Sequence, residues 1–409
     1  MKITFVSEHA SPLAALGGVD AGGQNVHVAE LAKALVGLGH EVTVITRRDD
    51  RALPPALVTS DGYRVIHLTA GPPEPLPKDD LWPHMPAFSD QLLAQLKADR
   101  PDVVHAHFWM SGWATHRAAR AVAIPTVLTF HALGSVKRRQ QGAADTSPRD
   151  RIAVETTLAA SVDRIIATCT DEVAELTRLS KTLTATSVVP CGVDVDRFSP
   201  TGPAWGDRRS RHRLLVVGRL VPRKGFATAI EALPHLPDTE LVIAGGAAGP
   251  DPERERLLAL AGICGVADRV RVLPQVPRAE MPSLLRSADL VACPAWYEPF
   301  GIVPLEAMAC GRAVVASAVG GMLDTVVPDH TGSLVPPRDT DAFADATSQL
   351  LRQPELRLRY GRNGVERART RFSWPSVAVR TVEAYERTLA GRPTRLRTKA
   401  ARLAAAGSR

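Results

Sequence analysis

The chain has 409 residues, of which 45% are hydrophobic and 23% charged, and its formal net charge at pH 7 is +7. This length predicts two domains of similar size, and because neither a run of about 18 apolar residues nor a secretory signal pattern occurs, we expect a cytoplasmic protein without a membrane span. The aromatic content of 5%, with no pattern of interleaved basic and aromatic residues, argues against nucleic acid as a partner.

Runs rich in Val, Ile and Leu alternate with amphipathic stretches of helical length along the chain, which is typical of parallel sheets built from βαβ units. In the first half the predicted strands are 3–7, 41–46, 63–68, 102–107, 126–131 and 164–167. In the second half they are 213–218, 241–246, 269–273, 290–293 and 313–317. The pattern predicts an α/β fold of two doubly wound domains, residues 1–190 and 206–373, with a cleft between them.

Three further segments complete the predicted organisation. Residues 191–205 are rich in Pro and Gly and are interpreted as a linker between the domains. A helical pattern at 374–390 follows the second sheet and is expected to pack back across the cleft onto the first domain. Residues 391–409 form a basic tail; a solvated tail is the simpler interpretation, and peripheral contact with an anionic membrane is the alternative.

Candidate sites lie in the loops after the strands, because doubly wound sheets bind ligands beyond the carboxyl ends of their strands. The glycine pairs Gly17-Gly18 and Gly22-Gly23 open the first helix, where a ligand can approach the backbone N–H groups closely. A simple turn explains these glycines equally well. A dinucleotide site is disfavoured because the G-x-G-x-x-G spacing is absent.

Two other loops carry polar side chains. Arg219 and Lys224, in the loop 218–225, can converge on a diphosphate, since arginine offers a forked donor and lysine a point charge. A solvated basic loop is the simpler alternative. His131 is predicted at the tip of a strand facing the cleft. A lone histidine at a strand end is more often structural than reactive, and both roles stay open for His131 at this point.

The segment 296–306 combines two carboxylates with a predicted helix start. Glu298 is expected in a loop and Glu306 inside the helix, with Pro304 in the first turn and Gly311 after the end. Between them the N–H groups of residues 300–302 would point toward an anionic ligand. A glycosidase would use such carboxylates as acid and base, but two separate contacts to hydroxyl groups are the better interpretation.

A D-x-D pattern at Asp194 and Asp196 has the form of a divalent metal site in many sugar-nucleotide enzymes. Because this pattern lies in the predicted linker, away from any strand end, we expect no metal there.

Together these motifs resemble the retaining GT-B glycosyltransferases, a family that includes sucrose-phosphate synthases, mycothiol-pathway glycosyltransferases and mannosyltransferases of lipid glycans. The resemblance covers nearly the whole chain, with the motifs in the family's order and spacing: Gly22-Gly23, His131, Gly218-Arg219, Lys224-Gly225 and Glu298-Pro-Phe-Gly-Ile-Val-Pro-Leu-Glu306. It implies GT-B architecture and transfer of a hexose or N-acetylhexosamine from a nucleoside diphosphate sugar, with UDP favoured, to a hydroxyl. Retention of configuration and independence of metals and other cofactors are also implied.

The resemblance also implies roles for individual residues. The catalytic set is His131, Arg219, Lys224 and Glu298, in which the two cations neutralise the departing diphosphate and Glu298 contacts the transferred sugar. Glu306 is expected to accept hydrogen bonds from the ribose hydroxyls. The other residues implied to bind the donor are Gly23, Gly218, Gln275, Val276, Phe300, Gly301 and Ile302. The residues implied to bind the acceptor are Gly22, Asn25, Lys78 and Arg151.

The acceptor itself is less well specified. The mycothiol-pathway relatives bind an inositol phosphate through Lys, Tyr, Thr and Arg, whereas Phe108 and Ala132 stand here at the Tyr and Thr positions. The loss of two hydroxyl donors argues against the same phosphorylated acceptor. Cations at 137–139 leave an anionic, lipid-linked or uncharged small-molecule acceptor open, and no oligomeric state is indicated. A glycoside phosphorylase and a non-catalytic sugar-nucleotide-binding protein are the alternative functions.

Overall fold

The computed structural model describes residues 1–14, 22–246 and 249–391. Gly17, Gly18 and most of the predicted basic tail lie outside the described residues. Within these ranges the chain forms two α/β units, each built around one sheet. No helix in the described ranges is both long enough and apolar enough to cross a membrane.

The first unit contains an eight-stranded sheet in the order β3-β4-β2-β1-β5-β6-β7-β8. All neighbouring strands are parallel except β3, which runs antiparallel to β4. The strands are β1 (Lys2–Val6), β2 (Glu41–Arg47), β3 (Ala56–Val58), β4 (Arg64–Leu68), β5 (Val103–His107), β6 (Thr126–Thr129), β7 (Arg164–Ala167) and β8 (Thr186–Val188). The helices are α1 (Gly23–Gly37), α2 (Met85–Ala98), α3 (Trp109–Ala121), α4 (Gly134–Gln141), α5 (Arg151–Ser161) and α6 (Thr170–Leu179).

The second unit contains a six-stranded parallel sheet in the order β11-β10-β9-β12-β13-β14. Its strands are β9 (His212–Val217), β10 (Thr239–Gly246), β11 (Val270–Pro274), β12 (Leu290–Cys293), β13 (Ala313–Ser317) and β14 (Gly332–Val335). Its helices are α7 (Phe226–Ala232), α8 (Pro252–Ile263), α9 (Met281–Ser287), α10 (Ile302–Ala309), α11 (Met322–Thr325), α12 (Thr340–Arg352) and α13 (Pro354–Arg371). The predicted α/β fold of two Rossmann-like units is confirmed.

The central strands are mostly buried and rich in apolar residues because helices cover both faces of each sheet. Every residue of β5, β12 and β13 is buried, which explains why the sequence identified these strands closely. The short edge strands β3 and β8, in contrast, have no buried residue, and β14 contains a glycine. These three strands were missed because they lack the apolar pattern from which the others were predicted.

One predicted strand is too long. The segment 126–131 was expected to be extended throughout, but β6 ends at Thr129. His131 adopts a φ of 63°, in the left-handed region, and cannot continue a strand. The chain therefore turns sharply at the position where a reactive side chain was expected.

The last described helix, α14 (Trp374–Ala390), follows the second unit and packs against α1 of the first. Trp374 and Tyr385 join the apolar cluster around Ile3 and Phe5. The Tyr385 hydroxyl lies 2.7 Å from His105 Nδ1 in the middle of the first sheet. This helix therefore brings the chain back from the second unit to the first, in addition to the connection at 189–211.

Each sheet has one point where the strand order reverses, between β1 and β5 in the first and between β9 and β12 in the second. Loops that leave two such strands diverge and open a crevice between them. The site is built at these two crevices.

Candidate active site

A cavity of about 1550 Å³ is lined by side chains from both units and from their connection. It exceeds the range of about 300–1000 Å³ typical of a site for one small ligand and has room for two substrates. The predicted site residues that line it are Gly22, Gly23, Asn25, Lys78, His131, Arg151, Arg219, Lys224, Gln275, Val276, Glu298, Phe300, Ile302 and Glu306. Gly218 and Gly301 do not line this cavity.

Lys224 and Glu298 form an ion pair across the crevice between β9 and β12. Gly225 makes this approach possible: its φ is 72°, and a Cβ atom there would overlap the carbonyl oxygen of Pro294. Burial alone would raise the pKa of Glu298, but the charges of Lys224 and Arg223 outweigh burial and hold that pKa below its ordinary value. Glu298 is therefore a carboxylate at neutral pH.

Glu306 lies in the second turn of α10, which begins after Gly301, at a φ of 67°, and is followed by Gly311, at a φ of 71°. The predicted helix and the place of Glu306 inside it are confirmed. Burial raises the pKa of Glu306 to about 7, against the opposing charges of Arg278 and Arg197. Arg278 Nη1 lies 3.4 Å from Glu306 Oε1.

The two units meet where α1 begins. A Cβ atom at Gly23 would lie 3.2 Å from Ile302 Cδ1 and 3.3 Å from the Phe300 ring, whereas one at Gly22 would have no neighbour within 4 Å. Gly23 thus permits close packing between the units, and Gly22 leaves open space. The backbone N–H of Phe300 is directed at Glu298, where it helps to lower the pKa of that carboxyl.

His131 faces Phe300 across the cavity, with ring centroids 5.4 Å apart. Its Nε2 atom lies 2.9 Å from Nδ1 of His107, and the two rings are stacked. Burial, followed by the neighbouring histidines, lowers the pKa of His131 well below its ordinary value. His131 is therefore neutral and offers hydrogen bonding rather than charge.

The first unit contributes Lys78, Phe108 and Arg151 to the wall of the cavity. The Lys78 ammonium lies 5.4 Å and the Arg151 guanidinium 5.0 Å from the centre of the Phe108 ring. Arg151 pairs with the buried Glu155 at 2.8 Å and donates to the Ala132 carbonyl at 2.8 Å. Its positive charge is therefore matched within the protein.

Asn25 and Asp194 both stabilise turns. Asn25 Oδ1 accepts a hydrogen bond from the Gly22 N–H at 3.0 Å, so the side chain shapes the loop before α1. Asp194 Oδ1 accepts from the backbone of Asp196 and Arg197 at 3.2 and 3.0 Å. Among the described residues no group of three or more His, Cys, Asp or Glu side chains is arranged to hold a metal ion.

Comparison with known proteins matches both halves of the chain to family models. Residues 21–197 match Glycosyltransferase Family 4, and residues 204–367 match Glycosyl transferases group 1. The chain is a group 1 glycosyltransferase. It is therefore an enzyme with the GT-B fold, as the resemblance implied. The alternative function, a non-catalytic sugar-nucleotide-binding protein, is set aside.

Relatives of this glycosyltransferase match over its whole length. The D-inositol 3-phosphate glycosyltransferase of Xylanimonas cellulosilytica is 39% identical over 412 residues, with 96% of this chain and 98% of the relative covered. D-inositol 3-phosphate glycosyltransferase 2 of Catenulispora acidiphila is 36% identical, with 95% of each covered. The structure of sucrose-phosphate synthase from Thermosynechococcus elongatus superposes with a TM-score of 0.86 at 32% identity, covering 96% of this chain and 100% of that one.

Two residues of the glycosyltransferase that bear on its site were missed from sequence. Arg278 follows β11 closely, so its position beyond a strand end could have identified it beside Gln275 and Val276. Asp324 accepts hydrogen bonds from the backbone and hydroxyl of Thr170, at 2.6 and 2.9 Å, and joins the two units. No local pattern indicates this contact, because its partners are 154 residues apart.

Proposed function

We propose that the enzyme transfers a hexose or N-acetylhexosamine from a UDP-sugar to the hydroxyl of a small-molecule acceptor, with retention of configuration and without a metal ion. The observation that carries this proposal is the Lys224–Glu298 pair at the crevice of the second sheet, facing His131 of the first unit across one cavity. Fixed cations, a carboxylate and a neutral imidazole converge where donor and acceptor would meet.

The cations act on the leaving group. As the bond between the sugar C1 and the diphosphate breaks, negative charge grows on the diphosphate, and Arg219 and Lys224 line the cavity to receive it. Charge stabilisation that increases during the reaction lowers the barrier instead of only tightening binding. Lys224 would then share its charge between Glu298 and the diphosphate.

The acceptor oxygen forms its bond to C1 on the face that the diphosphate leaves, and a phosphate oxygen of the diphosphate takes the acceptor proton. This route needs no protein base beside the sugar. It is supported by the neutral state of His131, whose lowered pKa suits a hydrogen-bonding contact to the sugar. Glu298 would accept hydrogen bonds from sugar hydroxyls, and Glu306 from the ribose.

For the acceptor we infer a hydroxyl compound other than inositol 3-phosphate, although the relatives are named for that substrate. Phe108 and Ala132 carry no hydroxyl group that could donate to a phosphate, and Glu155 already matches the charge of Arg151. An acceptor phosphate would therefore lack two hydroxyl contacts at this wall of the cavity, which Lys78 also lines.

A thermal-shift panel of UDP, GDP, ADP and TDP sugars tests the donor. A ligand that binds only the folded state raises the melting temperature, and we expect the largest rise with a UDP-sugar.

Transfer from that donor to a panel of polyols, with and without a chelator, then tests the acceptor and the metal. Loss of transfer on chelation, restored by added metal, contradicts the proposal. Sugar phosphate formed from glycosides and phosphate would instead indicate a phosphorylase.

A further inference from the structure

Arg278 connects the linker region to the donor side of the cavity. Its guanidinium lies 5.5 Å from the centre of the Phe198 ring, and its Nη1 atom lies 3.4 Å from Glu306 Oε1. Both Arg278 and Glu306 line the cavity, close in space to Gln275 and Val276. The side chain of Arg278 is 21% exposed and that of Glu306 is 9% exposed, so the pair is mostly shielded from water.

Glu306 would be hard to keep charged without this partner. Burial favours its neutral form, and among the described residues it interacts electrostatically with the cations Arg278 and Arg197 and with the thiols Cys293 and Cys310. Both thiols have a pKa raised by burial, so they are neutral and add no compensating charge. Of the two arginines, Arg278 has the larger lowering effect on the pKa of Glu306 and makes the direct contact to the carboxylate.

We propose that Arg278 is a positioning residue, which keeps Glu306 a carboxylate and aims it at the ribose hydroxyls of the donor. This inference rests on the proposed function, in which Glu306 binds the ribose. A carboxylate accepts hydrogen bonds from two neighbouring hydroxyls, whereas a carboxylic acid must give up part of that capacity to its own proton. Phe198 holds Arg278 from the linker side, so the segment between the units supports the contact to the donor.

The experiment measures how strongly the ribose hydroxyls contribute to binding. Calorimetry would compare UDP with its 2′,3′-dideoxy counterpart from about pH 6 to about pH 9, a window that spans the raised pKa of Glu306. Both ligands share the diphosphate, so its titration cancels in the ratio of their affinities. In the wild-type enzyme we expect UDP to bind on the order of tenfold to a hundredfold more tightly at high pH, with the advantage shrinking below about pH 7.

The variants Arg278→Gln and Arg278→Lys then test the inference. Removal of the charge should raise the pKa of Glu306, so in Arg278→Gln the advantage of UDP should disappear at a higher pH than in the wild type. Arg278→Lys should keep the wild-type midpoint. An unchanged midpoint in Arg278→Gln overturns the inference, and so does an equal loss of affinity for both ligands at every pH, which would indicate a contact to the diphosphate or the base.

The variant Glu306→Gln separates this inference from the proposed function. It should remove the advantage of UDP at every pH and make a second change at Arg278 silent. If the wild-type enzyme binds UDP and the dideoxy ligand equally at all pH values, Glu306 does not bind the ribose and the proposed role fails. If it discriminates between them but Arg278→Gln does not move the midpoint, only the role of Arg278 fails. Absence of binding to any nucleoside diphosphate overturns both.

Discussion

At the scale of single residues, the two carboxylates of the site differ in whether the neighbouring cations outweigh the effect of burial. Lys224 holds the pKa of Glu298 below its ordinary value, while the pKa of Glu306 is raised to about 7 even with Arg278 nearby. The two glutamates are both buried in one cavity wall, yet they differ in how firmly they are ionised. Substitution of Glu298 removes a carboxylate from the site, whereas substitution of Lys224 changes the pKa of that carboxylate.

Replacement of Glu298 by Gln should lower kcat/KM for transfer by a factor on the order of ten to a hundred, because a charge-assisted hydrogen bond to the sugar is lost. Binding of free UDP should change little, since Glu298 is proposed to contact the sugar. Steady-state kinetics and calorimetry measure both quantities. The matched control is Glu355→Gln on the exposed surface of α13. Full activity in Glu298→Gln would remove this residue from the proposed site.

Replacement of Lys224 by Met should lower the rate at all pH values and also move the acidic limb of the pH profile. Without Lys224, burial of Glu298 is less opposed, so its pKa rises and the carboxylate is lost at a higher pH than in the wild type. The pH dependence of kcat/KM measures the midpoint. Lys224→Arg keeps the charge and should keep the wild-type midpoint. A midpoint that stays in place in Lys224→Met contradicts the coupling between the two groups.

At the scale of secondary-structure elements, the loops between strands and helices carry the charged groups. A glycine in such a loop allows it to pack closely against its neighbour. Gly225 ends the short turn Pro222–Lys224 and begins α7 with a left-handed φ of 72°. The same residue lies directly against the backbone at Pro294, after β12. The position of Lys224 beside Glu298 therefore depends on the absence of a side chain one residue later.

Gly225→Ala should reduce donor binding and destabilise the fold by clearly more than the roughly 1 kcal/mol expected from a left-handed φ alone. The excess arises because the new Cβ must displace the Pro294 carbonyl. Gly265→Ala is the matched control, since Gly265 has a φ of 67° but no atom within 4 Å of an added Cβ. Denaturant unfolding and nucleotide calorimetry compare the two variants. Equal effects would mean that the close approach at Pro294 is unimportant.

At the scale of the whole molecule, polar contacts at Asp324 and Thr168 join the two units, in addition to the packing of α14. Asp324, in α11, accepts hydrogen bonds at the start of α6 in the other unit, as an N-terminal cap supplied across the cleft. Thr168 Oγ1 also donates to the Pro299 carbonyl at 3.4 Å, beside Glu298. These contacts join α11 and the segment at Pro299 to the first unit.

Asp324→Ala removes both acceptor oxygens and should therefore favour an arrangement in which the two units lie farther apart. A cap of this kind contributes about 1 kcal/mol, so the open population should rise about fivefold. Small-angle X-ray scattering should show a larger radius of gyration without nucleotide, and saturating donor should reverse the change. Asp345→Ala, on the exposed face of α12, is the control. An unchanged radius of gyration together with unchanged donor affinity would show that this contact does not hold the units together.

The amino-acid sequence was sufficient to predict the alternation of strands and helices and the positions of the candidate loops. It did so because these features are local: apolar runs mark buried strands, and Pro304 and Gly311 mark the limits of one helix. The helix at 374–390 was predicted for the same reason, and it occupies Trp374–Ala390. Of the predicted site residues, all but Gly218 and Gly301 line the cavity, while their individual roles stay predictions.

The contacts between side chains that are remote in sequence became known from the three-dimensional structure. Lys224 and Glu298 are 74 residues apart and are joined because the order of strands reverses between β9 and β12. Arg278 reaches Glu306 across 28 residues, and Asp324 reaches Thr170 across 154. The left-handed φ of 63° at His131 was also not predicted, because the apolar run 126–131 indicated a strand that continues through this residue. Charge pairing, burial and the resulting pKa values depend on distances in space, and distances between remote residues follow from packing, which no local pattern encodes.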